Sequence, residues 1–452
     1  MTFSAQSNLS DLQLGEYLKI VSKSGVYNNL SEDSSIWDMV KKLKKGMAEG
    51  RELRYLLRTA YGAAAANFVA VDGGAYPTAQ QATINEATAI FKDYALTLEV
   101  QRTLIEKAIS DFARYGEPLA EEIRSKTIAL SRQLSASLYG DGTGILAQAA
   151  DAGTVDTGTD LVTFNVSTSS TAKGFIGWVE LGDKVLVRNS DGTAAAPTCT
   201  SFDYYIVTDK DRTAGTITLK AYTSAGAVIT DVTATGVTAG DYLIKYSSAK
   251  PDWSDIGTSN DYNAASYYFP GLESLAAADG RKVNGITMTG AVKGTHRDVS
   301  GQPLDSSDFQ KLMSQIKLSV GANRYKYTKA MMAWESLDAL IESRETDRRF
   351  QSIKDTDKGV ESMGYVHGKD RVVFEADEFC PMQRIWVLPQ GDAVQFYGED
   401  FKFVEAQAGQ KFMLKPNSSG HDRAVRAYME GSGTLLCVHP AAVGVIKNFT
   451  VG

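Results

Sequence analysis

Apolar and polar positions repeat with different periods in different parts of this chain. Around 118–139 the stripe Leu119, Ile123, Thr127, Leu130, Leu134 and Leu138 recurs every three or four residues. That spacing predicts a helix over 118–139, about 33 Å long, with one narrow apolar face. Pro118 suits its first turn, and Glu117, Glu121 and Glu122 suit its positive end. Arg124, Lys126, Arg132 and Gln133 are expected to face away from the stripe. Gly140 and Gly142 are expected to stop the helix, Gly140 in a left-handed conformation.

Before the helix, residues 51–100 read as a long two-stranded arm. Its second strand alternates Ile90, Lys92, Tyr94, Leu96 and Leu98 against Asp93, Thr97 and Glu99. Asp72, Gly73, Gly74, Tyr76 and Pro77 form a turn-rich tip. So long a hairpin is marginal alone and needs another surface to lie on. Residues 151–250 lose the helical period. "LVTFNV", "KVLVRN", "DYYIVT", "TITLKAY", "AVITDV" and "YLIKYS" are strand candidates separated by glycine turns. They predict a small β-barrel or sandwich, set as an inserted module between helical segments.

Helical spacing returns at Phe309, Leu312, Met313, Ile316 and Val320, with Asp305 or Ser306 as cap. "MMAWESLDALIESRETDRRFQ" reads as a second helix. From 370 the chain reads as eight short strands, the last being "VGVIKNF".

Composition narrows the function. The 452 residues are 43% apolar and 22% charged, with a net charge of −7. There is apolar mass for two or three cores, and the acidic balance argues against nucleic-acid binding by the whole chain. No run of 18 apolar residues predicts a membrane helix. The first 20 residues lack the basic head and apolar core of a secretion signal. Cys199, Cys380 and Cys437 are far apart, and buried inert thiols are expected. His296, His367, His421 and His439 are scattered, so neither a metal site nor a cofactor is expected.

"GDGTG" at 140–144 follows a helix, whereas a phosphate loop precedes one. No lysine with Ser or Thr follows it, so a nucleotide site is not expected. Glu375, Asp377 and Glu378 could do acid–base work, but a solvated loop between strands is the expectation. "KKLKKG" at 41–46 reads as a solvated helix end, or as a contact to nucleic acid or to an acidic neighbour. Trp37, Trp253, Trp334 and Trp386 are read as core or interface anchors. No catalytic constellation emerges, so no enzymatic activity is expected.

Four stretches carry a family resemblance. They are "GGAYPTAQQATINEATAIFKDYALTLEV", "AEEIRSKTIALSRQLSASLYGDGTG", "KAMMAWESLDALIESRETDRRFQ" and "MLKPNSSGHDRAVRAYMEGSGTLLCVHPAAVGVIKNF". In this order the chain resembles the major capsid proteins of tailed bacteriophages, the Hong Kong 97-type fold shared with encapsulins. The resemblance implies an α+β fold. Residues 1–50 would be an N-terminal arm and 51–104 an extended loop. Residues 105–150 would begin the peripheral domain, with its spine helix at 118–139. Residues 151–255 would be the inserted β module, 256–358 the axial domain, and 359–452 the closing strands.

It further implies an icosahedral head shell built from hexamers and pentamers of this chain, enclosing double-stranded DNA without reading its sequence. The arm tip at Asp72, Gly73, Gly74, Tyr76 and Pro77 would contact neighbouring subunits. A separate scaffolding protein, a portal and a decoration protein would be partners, the location the virion, with no membrane. No lysine lies between Lys45 and Lys92, so an arm-lysine cross-link is not expected. Alternatives are an encapsulin-type cargo compartment or a carbohydrate-binding, adhesive β protein built around 151–250.

Overall fold

The chain is a strand-rich α+β protein. Its computed structural model describes residues 35–44, 52–60, 83–101, 118–156, 158–168, 174–189, 202–230, 232–233, 235–246, 268–278, 280–321, 323–343, 363–403, 412–417 and 420–450. The arm tip at 72–77, Cys199 and Trp253 lie outside these residues.

A 3-10 turn at Ser35–Asp38 leads into β1 (Val40–Lys44), so "KKLKKG" begins in a strand and does not end a helix. β2 (Glu52–Ala60) and β3 (Thr83–Ile90) pair antiparallel from Glu52–Ile90 to Ala60–Thr83. They form a two-stranded sheet of their own. β4 (Lys92–Gln101) does not continue this arm. It joins the main sheet beside the long strand at 420–437, with Lys92 opposite Gly433 and Gln101 opposite Ala424. The predicted second arm strand therefore divides at Phe91, whose side chain is buried.

Helix α1 spans Pro118–Tyr139. Its buried face holds Thr127, Leu130, Leu134 and Leu138, and it also takes in Ser131, Ser135, Ala136 and Tyr139. The stripe is thus wider than its leucines alone indicate. The end of the helix is packed from several sides, and Trp37 donates its indole N–H to Ser135 Oγ at 3.0 Å.

Next come β5 (Ile145–Gln148), β6 (Thr154–Asp156), β7 (Leu161–Asn165), β8 (Lys184–Arg188), β9 (Tyr204–Asp211), β10 (Thr216–Tyr222) and β11 (Tyr242–Lys245). Their order is β5-β11-β8-β9-β10-β7-β6. An Ala149–Val166 bridge and the Ser167 N–H bond to Gln148 O at 2.7 Å tie β5 back to β7. The sheet closes as a small barrel. It starts at Ile145, six residues before the predicted module. Among the described residues of "AVITDV" no strand forms; Val228 makes an isolated bridge to Tyr222, and Ile229 N–H donates to Ala221 O at 3.0 Å.

A short helix α2 (Leu272–Leu275) and the small hairpin of β12 (Lys282–Val283) and β13 (Ile286–Thr287) follow. Then come β14 (Thr295–Asp298), α3 (Ser306–Val320), β15 (Lys326–Met332), α4 (Trp334–Ser343), β16 (Met363–His367), β17 (Asp370–Ala376), β18 (Arg384–Phe403), β19 (Phe412–Asn417), β20 (Gly420–Cys437) and β21 (Gly444–Lys447). Met331 and Met332, read as helical from sequence, close strand β15 instead. They pair with β17 and β18, and a short apolar run does not by itself choose between helix and strand.

The ten-stranded sheet is organised by β18, a 20-residue strand where three short ones were predicted. Its first part pairs with β15 and β21, its second with β20 and β1. Ile385 and Val387 enter a core with Phe309, Leu312 and Ile316 of α3. Trp386 and Leu388 point the other way, into a core shared with α1 and the barrel interior. A sheet covered on both faces reads as a continuous apolar run, which is how "RIWVL" reads.

Candidate functional site

Among the described residues, the arm forms a sheet of two strands that joins neither the main sheet nor the barrel. At its base, Leu57 and Ala87 pack with Ile286 and Val292 in a four-residue cluster edged by Tyr55. The β12–β13 turn reaches into this base. Asn284 Nδ2 donates to Tyr55 Oη at 3.0 Å, and Thr88 N–H donates to Asn284 O at 3.0 Å. Asn284 and Gly285 both take positive φ, 52° and 83°, as an Asn-Gly hairpin turn requires. The arm therefore finds part of the surface it needs within its own chain, at its root. Sequence reading missed Asn284, although its Asn-Gly dipeptide is a turn signal.

The support is one-sided: Leu57, paired with Asn85, is buried, and its neighbour Leu56 is not. Residues 83–86 are all exposed, and apolar side chains are among the exposed ones. Leu56 is 68% exposed and Ile84 51%. A cavity of about 210 Å³ lies beneath β2, lined by Leu56, Leu57, Val320, Arg324, His439 and Pro440 among others. Arg324 Nη2 lies 2.7 Å from His439 Nε2. Burial and then the Arg324 charge hold the His439 imidazole below its usual range.

Other apolar side chains reach solvent on separate elements: Leu318 on α3 (86% exposed), Trp334 at the start of α4 (55%), Leu181 in the barrel and Ile128 on α1. Trp334 is thus no core anchor, whereas Trp37 and Trp386 are fully buried.

The "GDGTG" stretch does end α1, but not as expected. Gly140 stays outside the left-handed region, and positive φ falls at Gly142 (86°) and Gly144 (75°). A Cβ on Gly142 would sit 3.1 Å from Pro270 Cα, and one on Gly144 2.5 Å from the Tyr268 ring. These glycines let the 268–271 segment lie against the helix end, and Ser274 Oγ donates to Asp141 O at 2.9 Å. Asp141 accepts from the Thr143 backbone N–H at 2.9 Å, closing the loop on itself.

The acids at 375–378 are not a solvated loop. Asp377 is buried and accepts the Phe379 N–H at 2.9 Å. Glu375 pairs with Lys329 at 3.0 Å. Glu378 pairs with Arg132 at 2.6 Å, and Arg132 also binds Glu180 of the barrel at 2.8 Å. Arg132 therefore does not face solvent; it ties helix, barrel and main sheet together. Gln133 likewise turns inward, donating to Tyr268 Oη at 3.1 Å. Arg212 to Glu335 at 2.5 Å and Trp178 N–H to Phe379 O at 2.8 Å complete the barrel's attachment.

Among the described residues no group of three or more His, Cys, Asp or Glu is placed to hold a metal ion. Cys380 and Cys437 are buried free thiols. Burial pushes the Cys437 thiol up to about 12 and raises Cys380 well above its usual value. Neither is poised as a nucleophile. Glu273 is enclosed by Arg384 (2.6 Å) and Lys447 (2.8 Å). Burial alone would raise its carboxyl, but the surrounding cations hold it at about 2.

No protein-family model matches the chain, and no curated protein matches it. Solved structures that it resembles include the capsid asymmetric unit of cyanophage A-1(L). Identity there is 10%, over 92% of this chain and 93% of that one, with a TM-score of 0.46. A chain of Mycobacterium phage Adephagia is 8% identical over 93% of this chain and 91% of that one, TM-score 0.43. A chain of the satellite phage P4 procapsid including size determination protein is 9% identical over 98% of both, TM-score 0.41. All three are distant likenesses in chain path.

Proposed function

We propose that this chain is the major capsid protein of a tailed bacteriophage, a self-assembling subunit of the head shell. The observation that carries this reading is the arm. Its nine- and eight-residue strands form a separate sheet, rooted by four core side chains, and leave Leu56 and Ile84 largely exposed. A two-stranded hairpin of this kind is marginal in water. A neighbouring copy supplies the missing surface. Exposed apolar side chains on α1, α3, α4 and the barrel support contacts on several sides, as a closed shell needs and a simple dimer does not.

In this reading residues 1–50 are an N-terminal arm and 51–104 the extended loop, whose tip at 72–77 meets a neighbour. Residues 105–150, with the spine helix, begin the peripheral domain. Residues 256–358 line the axial contacts, and 359–452 supply the closing strands. The barrel, within 151–255, is a module inserted in this framework. Copies associate as hexamers and pentamers around double-stranded DNA, with a scaffolding protein, a portal and a decoration protein as partners. The role is structural, not catalytic.

Electron microscopy of the expressed chain tests this. Closed shells are expected from the full sequence, and a folded but unassembled subunit from deletion of 61–82. A full chain that stays monomeric at high concentration overturns the reading, and normal shells from the deletion overturn the role of the arm.

A further inference from the structure

The barrel carries chemistry that shell building does not use. Its interior is filled by Tyr205, Val207, Ile217, Leu219 and Ala221. The alternate positions of β9 and β10 lie on the other face of the sheet, and two of them, Tyr204 and Tyr222, are aromatic. Tyr222 of β10 stacks on Tyr204 of β9, centroids 5.8 Å apart and planes within 5°. Tyr246, just past β11, lies against the same Tyr204 at 5.1 Å. Lys184 of β8 places its ammonium 4.6 Å from the Tyr204 ring centre. Tyr246 Oη donates to Asp203 Oδ2 at 3.0 Å. Val228, bridged to Tyr222, adds an exposed apolar edge.

Cross-strand aromatic pairs stabilise sheets, and that role explains the stacking. It does not explain the polar ends. Tyr204 is only 5% exposed, yet no hydrogen bond joins its hydroxyl to the described residues. The Tyr222 hydroxyl and the Lys184 ammonium likewise have no hydrogen-bond or ion-pair partner there. One sheet face thus gathers ring surfaces, two hydroxyls, an ammonium and a carboxylate.

We propose that this face binds a neutral saccharide, stacked on the Tyr222 and Tyr246 rings and hydrogen-bonded by Tyr204, Tyr222, Lys184 and Asp203. Pyranose rings offer an apolar C–H face and a rim of hydroxyls, which match an amphipathic aromatic surface with a few fixed polar groups. Charge decides against a nucleic acid, the other ligand that stacks on aromatic rings. Residues 145–246 hold 11 Asp and Glu against 7 Lys and Arg, a net −4 (7 − 11), which repels a polyanion. The site goes beyond shell formation and does not depend on it.

The test uses the full chain in whatever assembly state it adopts. Saturation-transfer NMR and calorimetry are run against malto-, cello-, xylo- and chito-pentaoses, with heparin and a single-stranded oligothymidine as polyanions. At least one neutral sugar should bind. Tyr222→Ala should weaken that sugar by about tenfold. Tyr204→Phe keeps the ring and should weaken binding several-fold with an unchanged melting temperature, which a purely structural stack would not produce. Failure of every neutral sugar to bind, binding of the polyanions alone, or unchanged affinity in both variants overturns the proposal.

Discussion

The main sheet and the arm are built from strands of similar apolar content, yet they are held very differently. β18 sends Ile385 and Val387 into one core and Trp386 and Leu388 into another, so every side chain of that stretch is buried. β2 buries Leu57 and leaves Leu56, its neighbour, in water. The difference lies in the number of layers. A strand in the middle of a sheet packed on both faces is fixed by its own chain, whereas a strand in a lone hairpin keeps one face for something else.

The comparison can be broken first in the body. Phe396 lies edge-on to Trp37 and Phe269, at 5.2 and 5.7 Å. Phe396→Ala should cost about 4 kcal/mol of global stability, read by chemical denaturation. Leu57→Ala in the arm should leave the same transition almost unmoved, because the arm opens locally before the body unfolds. Equal losses would erase the distinction.

Next is the buried acid. Glu273→Gln strands Arg384 and Lys447 without their counter-charge and should cost about 3 kcal/mol. The pH dependence has a definite sign. The Glu273 carboxyl sits at about 2 in the folded chain against an ordinary 4.5. Its stabilisation is therefore complete above the ordinary value and is lost as pH falls towards 2. Melting temperatures of the parent should drop across that window, and those of the Gln variant should drop less. Parallel slopes would remove Glu273 as the cause.

A smaller effect is expected where the barrel meets the body. Arg132→Ala removes the bonds to Glu180 and Glu378 and should cost about 2 kcal/mol. Amide exchange should quicken around 175–183 while the barrel strands stay protected. Smallest of all, Tyr55→Phe takes one hydrogen bond, the one from Asn284, out of the root of the arm, worth about 1 kcal/mol. Faster exchange at the Thr88 amide, with the global transition unchanged, would sharpen the picture of an arm seated only at its base. A protected Thr88 in that variant would contradict it.

Periodicity alone determined the helix at 118–139 and five of the barrel's strands, because each depends on neighbours within a few residues. It also located the alternation of Lys92, Tyr94 and Leu96. It could not determine that β4 leaves the arm for β20, or that three predicted strands fuse into β18. Strand pairing is a long-range choice, made by whichever surface is left to cover.

The same limit applies to charges. Arg132 and Glu378 are 246 residues apart, and each alone reads as a solvated group. Only folding brings them within 2.6 Å, where proximity turns two half-exposed residues into a clamp. The row of tyrosines on the barrel has the same origin. The sequence wrote Tyr204, Tyr222 and Tyr246 into three separate segments, and the pairing of β11, β8, β9 and β10 side by side made them one face.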